Sequence, residues 1–200
     1  MKYKISGYKA GKGRFYHVYD EKHQFKRNIN VQDEKTLAGD DWLNGVSCFV
    51  INEKGEVLIE QRVKKGLTPG KLDLCSGHID NGETATIAMI RELREELGIS
   101  FEEAINVRKL SIEALPLKFS SSNKIKNFFI TFYCLKRSTS DVKPQEEEID
   151  EILWLPLDEA FELIRSGKTK FPPNDNYELI FQKVRDICNP NKIKEEFGRD

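Results

Sequence analysis

The sequence has no apolar run long enough to cross a lipid bilayer. The longest, Phe128–Leu135, is far shorter than the ~20 residues that a transmembrane helix needs. Residues 1–20 are basic but lack the apolar core of a secretory signal peptide. These two absences predict a cytoplasmic protein that does not contact a membrane.

Cysteine is scarce and scattered. The chain has four, with no CxxC pair and no cysteine–histidine spacing typical of a zinc site; they are Cys48, Cys75, Cys134 and Cys188. Reduced thiols in a reducing compartment are therefore expected. Cys75 is interpreted as a small buried apolar residue, since free cysteine is among the most buried residue types.

An excess of charge of one sign is also missing. The chain carries 32 basic and 33 acidic residues, for a formal net charge of -1. No global field attracts nucleic acid, and no helix-turn-helix pattern or basic stripe appears. We therefore expect no nucleic-acid polymer as partner. At 200 residues and 38% hydrophobic content, the chain can bury the core of one domain.

The pattern divides the chain into three parts. Residues 1–40 are polar and weakly periodic, with one strand expected at Arg14–Asp20, and are interpreted as an N-terminal extension. This extension is expected to pack on the domain, contact substrate or mediate homodimerisation. Residues 41–170 form the main domain, and residues 171–200 form a C-terminal helix and charged tail packed on it.

Strands and helices are mixed within the main domain. Helices are predicted over Thr84–Leu97, Leu157–Gly167 and Tyr177–Ile187. Loops are predicted over Leu115–Asn123 and Lys136–Asp150. Strands are predicted between these segments, at Gly45–Ile51, Glu56–Arg62, Leu72–Gly77, Ala104–Glu113, Lys126–Leu135 and Glu151–Pro156. Without strict alternation of strand and helix, the order favours an α+β fold with a mixed sheet between helices.

The helix Thr84–Leu97 carries an unusual acidic cluster. At about 100° per residue, Glu92, Glu95 and Glu96 fall within roughly a 100° arc. The apolar residues Met89, Ile90, Leu93 and Leu97 are expected on the other side.

A run of charges usually marks a solvated helix face, here with Arg91–Glu95 as an i,i+4 pair. However, the three glutamates repel one another, and Arg91 alone can pair with only one or two of them. Hard divalent cations with oxygen ligands would hold such a cluster together. The preceding glycine-containing turn, Gly77–Glu83, brings free backbone groups beside the acids, an arrangement that suits a metal-bound polyphosphate.

The stretch Gly77–Ile99 resembles the Nudix box of the Nudix (MutT-like) hydrolases. That box reads glycine, five residues, glutamate, seven residues, then Arg-Glu-aliphatic-x-Glu-Glu-x-Gly-aliphatic. Every fixed position is filled here, by Gly77, Glu83, Arg91, Glu92, Leu93, Glu95, Glu96, Gly98 and Ile99. The resemblance implies the Nudix fold, an α/β/α sandwich with a mixed β-sheet.

The resemblance also implies a function. Family members cleave the pyrophosphate bond of a nucleoside diphosphate linked to another moiety, with Mg²⁺ or Mn²⁺. Carried over by position, the metal ligands would be Glu92, Glu95, Glu96 and the carbonyl of Gly77. Arg91 would orient a glutamate. Glu83 would support the centre or act as an auxiliary base; the resemblance leaves open which glutamate is the general base.

Other residues are candidates for the same site. Arg62 is expected near phosphate at the end of a strand, and His78 is expected to contact substrate from within the box. Family members often add an acid from a later loop, and the candidates here are Glu146, Glu147, Glu148 and Glu151. The substrate is expected to be a small, phosphorylated, nucleotide-like molecule.

Two alternatives stay open. "CSGHIDNGE" also resembles isopentenyl-diphosphate isomerases, whose catalytic cysteine immediately precedes Gly-His. Here Ser76 holds that position, and the metal-binding histidines expected near residues 42–50 are missing from the sequence there. The second alternative is a non-catalytic nucleotide-sensing module, but such modules usually lose the glutamates that this chain retains.

Overall fold

A computed structural model of the chain describes residues 15–64, 69–119 and 124–189. The strands are β1 (Phe15–Tyr19), β2 (Phe25–Asn30), β3 (Trp42–Ile51), β4 (Glu56–Arg62), β5 (Leu72–Asp73), β6 (Cys75–His78), β7 (Arg108–Phe119), β8 (Lys124–Lys136) and β9 (Ile149–Pro156). The helices are α1 (Ala85–Leu97), α2 (Phe101–Ala104), α3 (Leu157–Arg165) and α4 (Tyr177–Cys188), with a 3-10 helix at Val31–Thr36.

The strand β3 organises a mixed sheet. Along one edge it pairs in parallel with β8 over its whole length, and β8 pairs antiparallel with β7. The other edge is shared, because β1 joins near Trp42, β6 joins along Gly45–Cys48, and β4 joins at Ile51. Outside the main path, β9 adds antiparallel to β4. Glu60 of β4 and Cys75 of β6, on two of the strands that share this edge of β3, both lie beside Glu96 in the C-terminal half of α1.

The sheet separates two apolar cores, because strand side chains alternate between its faces. Along β3, Cys48 and Val50 pack in the core beneath α1 and α2. Phe49 and Ile51 pack in the other core, against α3 and α4. The expected α/β/α sandwich with a mixed sheet is thereby confirmed.

The acidic helix α1 has clear signals at both ends. Thr84 is the N-cap, and its hydroxyl accepts a hydrogen bond from the Ile87 N–H at 3.2 Å. Gly98 is the C-terminal residue in the left-handed region, at φ 63°, where glycine avoids the penalty of a Cβ. The predicted helix and its two ends therefore agree with the structure.

Several local predictions differ from the structure: the predicted strand Leu72–Gly77 is interrupted at Leu74 between β5 and β6, and the segment Ala104–Asn123 also differs. Ala104 ends the short helix α2 and does not begin a strand, because Ser100 caps a helical turn there. The strand β7 then runs to Phe119, through residues predicted to be loop, because it pairs with β8 along this length. The rest of that predicted loop, Ser120–Asn123, lies outside the described residues.

The segment before the main domain joins the same sheet. β1 and β2 form an antiparallel hairpin, and Tyr19 of β1 pairs with Trp42 of β3. The strand expected at Arg14–Asp20 is therefore found as β1. In the described ranges, no helix is long and apolar enough to cross a membrane.

Candidate active site

The helix α1 lies against the backbone of Gly77. β6 is antiparallel to β3, with Gly77 opposite Val46, and α1 packs across both strands. A Cβ atom at position 77 would overlap the carboxylate of Glu92. Glycine is therefore required at this position, because the main chain lies directly against that carboxylate.

Arg91 connects the turn before α1 to the glutamates on it. Its Nε donates to Glu83 Oε1 at 2.8 Å, and its Nη2 donates to Glu83 Oε2 and to the His78 carbonyl, both at 3.0 Å. Its Nη1 donates to Glu92 Oε1 at 2.6 Å and to Glu95 Oε2 at 3.2 Å. One guanidinium thus holds three carboxylates in place through charge-assisted hydrogen bonds.

Glu83 has little freedom in this arrangement. Both of its oxygens accept from Arg91, and Oε2 also accepts from the Asp80 N–H at 3.1 Å. A carboxylate with these partners is well placed to support the turn. The geometry therefore favours the supporting role over the auxiliary-base role.

The glutamates differ in burial. The side chains of Glu92 and Glu96 are only 12% and 4% exposed, whereas the Glu95 side chain is 42% exposed. The expectation that all three lie opposite the apolar side of α1 is therefore wrong for Glu92 and Glu96. Both turn towards the sheet, because Gly77 leaves room for Glu92 and because Glu96 packs beside Glu60 of β4 and Cys75 of β6.

Burial raises the pKa of Glu92, and the neighbouring carboxylate of Glu96 raises it further, against the effect of Arg91. The pKa of Glu96 is also raised, chiefly by burial, although Arg62 and Lys170 oppose the shift. Without a cation, both carboxyl groups are therefore harder to ionise in the fold than a free glutamate.

These shifts predict an unusual pH dependence of stability. In EDTA, the free energy of unfolding should fall as the pH rises above 4.5, the ordinary value for glutamate. The unfolded chain then loses protons that Glu92 and Glu96 retain in the fold, so raising the pH favours unfolding. A saturating divalent cation should reduce the trend, because it replaces the protons. Thermal melts at a series of pH values, in EDTA and in Mg²⁺, measure the pH dependence of stability and its reduction by the cation. A stability that does not change with pH in EDTA would contradict the prediction.

Arg62 reaches the buried glutamate from the end of β4. Its Nη1 lies 3.7 Å from Glu96 Oε1, and its Nη2 donates to Glu148 Oε2 at 3.1 Å. Of the four later-loop acids, Glu148 is therefore the one placed beside Arg62. Glu146, Glu147 and Glu151 are exposed. The loop is anchored here because the Gln145 N–H donates to the Glu96 carbonyl at 2.8 Å.

His78 packs among aromatic side chains. Its ring stacks on Tyr16 at a centroid distance of 4.6 Å and meets Phe128 edge-on at 5.3 Å. Its Nε2 lies 3.6 Å from Glu34 Oε1. The side chain therefore joins the N-terminal hairpin and the 3-10 helix to the domain, while its carbonyl fixes Arg91.

A groove opens beside Glu83, which is one of the residues that line it. Its volume is about 190 Å³. The hairpin β1–β2 contributes several of its walls, and the residues that line it include His17, Tyr19, His23, Asn44, Glu83, Ile112 and Phe129. His23 has a φ of 60°, uncommon for a residue with a side chain, and its ring stacks on Phe129 at 4.1 Å.

Sequence reasoning missed a set of buried polar residues behind the glutamates. Lys170, which precedes α4, lies 2.7 Å from Asp73 Oδ2 and also contacts the Ser76 hydroxyl. Glu60, from the middle of β4, is fully buried beside Glu96. The only available signal was a charged residue inside an otherwise apolar strand, and such a residue is also typical of a solvated strand face.

The donor set suits a hard divalent cation. Carboxylate oxygens from Glu92 and Glu95 share one Arg91 nitrogen, and Glu96 lies one turn from Glu92 on the same helix. Burial and mutual repulsion penalise these charges, as a cation-binding cluster without its cation would show. The residues therefore fit the metal that the box implies.

Comparison with known proteins agrees with this geometry. The family model of the NUDIX domain matches residues 42–175. The chain is 33% identical over 151 residues to Nudix hydrolase 6 of Arabidopsis thaliana. This alignment covers 72% of this chain and 46% of that protein. It is 28% identical over 130 residues to isopentenyl-diphosphate Delta-isomerase of Corynebacterium diphtheriae, covering 64% and 70% of the two chains.

A solved structure shares the fold. The crystal structure of DR0079 from Deinococcus radiodurans superposes with a TM-score of 0.60 at 24% identity, covering 88% of this chain and 99% of that one. Because the family model spans more than half of the chain, the protein belongs to the NUDIX family. The family expected from the sequence is confirmed. The chain spans about half the length of the Arabidopsis hydrolase.

Proposed function

We propose that this protein is a divalent-metal-dependent hydrolase that cleaves a pyrophosphate bond in a nucleoside diphosphate linked to another moiety. The observation that carries the proposal is the intact acidic face of α1, held by Arg91 against the backbone of Gly77. Such an arrangement is costly for a fold without a cation, and it has a direct use in phosphate chemistry.

The proposed roles follow from the contacts. Glu92, Glu95, Glu96 and the Gly77 carbonyl would hold Mg²⁺ or Mn²⁺. When bound, the cation would neutralise the diphosphate, polarise its P–O bonds and lower the pKa of water. Arg91 fixes the carboxylates, with Glu83 as its anchor. A glutamate not fully used as a ligand would accept the proton of the attacking water.

Arg62 is proposed to meet the phosphates. It stands between Glu96 and Glu148 at the end of β4, where an anionic substrate would approach the acidic centre. A guanidinium can bind phosphate oxygens through two parallel hydrogen bonds. His78 is proposed to act on substrate binding indirectly, through the packing of the hairpin β1–β2.

The groove beside Glu83 is proposed to hold the part of the substrate beyond the phosphates. The exposed ring of His23 and the half-buried ring of Tyr19 line the groove and offer surfaces for stacking, while Phe129 is buried behind His23 and supports its ring. Asn44 and His17 add hydrogen-bonding groups. This combination suits a planar heterocycle such as a nucleobase.

Filling the groove tests its role. Ile112 lines it and is 47% exposed, so Ile112→Trp should occupy part of the volume without disturbing the core. We expect KM to rise by about 10-fold with kcat changed much less, because lost binding common to ground and transition states raises KM. Steady-state kinetics measure this split. Ile105→Trp, at an equally exposed isoleucine outside the groove, is the matched control; equal effects of the two variants would contradict the assignment.

A substrate screen tests the function itself. Purified protein is incubated with Mg²⁺ or Mn²⁺ and a panel of nucleoside triphosphates, ADP-ribose, other nucleotide sugars, dinucleoside polyphosphates and isopentenyl diphosphate. Release of phosphate and nucleotide is measured, with Glu96→Gln in parallel. We expect a metal-dependent product that the variant fails to form; a panel without any metal-dependent product would reject the nucleotide-linked hydrolase.

Isopentenyl-diphosphate isomerisation is the second candidate, because relatives with that name match this chain. Against it, the residue before Gly77 is Ser76, and Cys75 is buried on β6. The strand Trp42–Ile51 also has no histidine. Isomerisation of isopentenyl diphosphate without phosphate release in the same screen would establish this alternative in place of the hydrolase.

A further inference from the structure

Glu60 is a buried carboxylate with no visible partner. It lies in the middle of β4 with no exposed surface, and neither of its carboxylate oxygens has a hydrogen-bond partner among the described residues. Because strand side chains alternate, Glu60 shares the face of Leu58, which packs in the core beneath α1. A charge buried without a partner is strongly disfavoured, so this position points to a ligand.

Two other metal-binding side chains meet Glu60 there. Glu96 approaches from α1 and Cys75 from β6, and one ligand atom from each of the three residues lies within 4.8 Å of the others. All three residues are buried. We name Glu60, Cys75 and Glu96 the inner cluster.

The two cationic side chains near the inner cluster, Lys170 and Arg62, already pair with other carboxylates. Lys170 lies 2.7 Å from Asp73 Oδ2, and Arg62 donates to Glu148 at 3.1 Å while remaining 3.7 Å from Glu96. The pair Lys170 and Arg62 faces Glu60, Asp73, Glu96 and Glu148. Four carboxyl groups therefore share two cations, and among the described residues neither cation forms an ion pair with Glu60.

We propose that the inner cluster is a second divalent-cation site, bound by Glu60, Glu96 and Cys75. Glu96 would then bridge this inner cation and the one held by the Nudix box. A thiolate beside two carboxylates favours zinc-like cations over Mg²⁺, because Mg²⁺ prefers oxygen ligands. Coordination releases the Cys75 thiol proton to solvent.

The spacing suits such an ion. Zinc lies about 2.3 Å from sulfur and about 2.0–2.2 Å from carboxylate oxygen, so two opposed ligand atoms are at most about 4.5 Å apart. The ligand atoms of the inner cluster already lie within 4.8 Å of one another, so at most small side-chain rotations are needed to reach that distance. This site shares only Glu96 with the proposed hydrolytic centre, and its ligands Glu60 and Cys75 lie outside the Nudix box.

Cobalt is the probe for this site, since Co²⁺ substitutes for zinc and its bond to a thiolate absorbs in the near ultraviolet. The full chain, freed of metal, is titrated with Co²⁺ without substrate. We expect a thiolate-to-cobalt absorption band that saturates with one equivalent of the ion. Cys75→Ser should abolish the band. Glu60→Gln should weaken Co²⁺ binding by at least about 10-fold, the loss typical even of outer-shell partners.

Matched variants control for indirect effects. Glu56→Gln makes the same change on the same strand, and Cys188→Ser removes the partly exposed thiol; neither should change the band. An unchanged band in Cys75→Ser or unchanged affinity in a folded Glu60→Gln overturns the site, as does the absence of a band in the wild type. Circular dichroism without metal verifies folding, and if Glu60→Gln is unfolded, Cys75→Ser decides.

The outcome is separable from that of the proposed function. Glu95 belongs to the proposed hydrolytic centre and not to the inner cluster, so the cobalt band should survive Glu95→Gln. Metal-dependent hydrolysis in a protein without the band would reject the inner site and leave the hydrolase standing. A cobalt band in a protein that hydrolyses nothing would support the inner site and reject the hydrolase.

Discussion

Replacing Glu96 by glutamine should reduce kcat/KM by about 10³-fold, which corresponds to about 4 kcal/mol of transition-state stabilisation. The substitution removes one negative charge from a buried position that both proposed cations would share, while the side chain keeps its shape. The Ser76 N–H, which donates to Glu96 Oε2 at 3.2 Å, can donate to the amide oxygen instead. Steady-state kinetics with saturating Mg²⁺ measure the loss.

Stability separates this loss from unfolding. Burial raises the pKa of Glu96, so ionising this group in the metal-free fold is unfavourable. The neutral variant should therefore melt at the same temperature as the wild type, or higher, in EDTA above neutral pH. Glu102→Gln, at an exposed glutamate of α2, should change neither activity nor stability. Full activity of Glu96→Gln would contradict the proposal that the glutamates of α1 hold the catalytic cation.

The sequence was sufficient to predict α1 and its two ends. Its apolar spacing, the N-cap Thr84 and the terminal Gly98 are local signals, and local signals determine helix ends. The box likewise predicted that Arg91 would contact glutamates near Gly77. These predictions hold because the residues concerned lie on one helix and the turn that precedes it.

Burial of the glutamates could not be predicted in the same way. A helical projection places Glu92 and Glu96 by angle alone, whereas their burial depends on what the sheet presents to α1. That surface is formed by β6 and β4, which both pair with β3 at different points along one edge. No local pattern specifies how such an edge is shared, because pairing partners distant in sequence decide it.

Glu60 shows the same limit. Within β4, Leu58, Glu60 and Arg62 lie on one face of the strand, and the sequence alone does not tell whether that face is buried or solvent-exposed. A charged residue such as Glu60 usually indicates the solvent-exposed face. Only tertiary packing brings Glu96 of α1 and Cys75 of β6 next to Glu60. Lys170 was likewise unpredictable, since it reaches Asp73 through a parallel bridge between Leu72 and Thr169.

The backbone of Gly77 offers the second large effect. Gly77→Ala should lower kcat/KM by about 10²-fold, because the new Cβ would overlap the Glu92 carboxylate and a displacement of about 1 Å is enough for such a loss. The same overlap should destabilise the fold by about 1–3 kcal/mol, the usual cost of overpacking. Kinetics and denaturant unfolding of one preparation measure both effects.

A second glycine supplies the comparison for this change. A Cβ atom at Gly39 would meet no other atom within 4 Å, and the backbone there is not left-handed, so Gly39→Ala should leave both quantities unchanged. If Gly77→Ala lost stability but kept activity, the Glu92 carboxylate would have moved without consequence and could not be a ligand. If activity fell while stability stayed the same, the Glu92 side chain would have moved away from the new methyl group without cost to the fold. The loss of activity would then be due to the changed position of the Glu92 carboxylate alone.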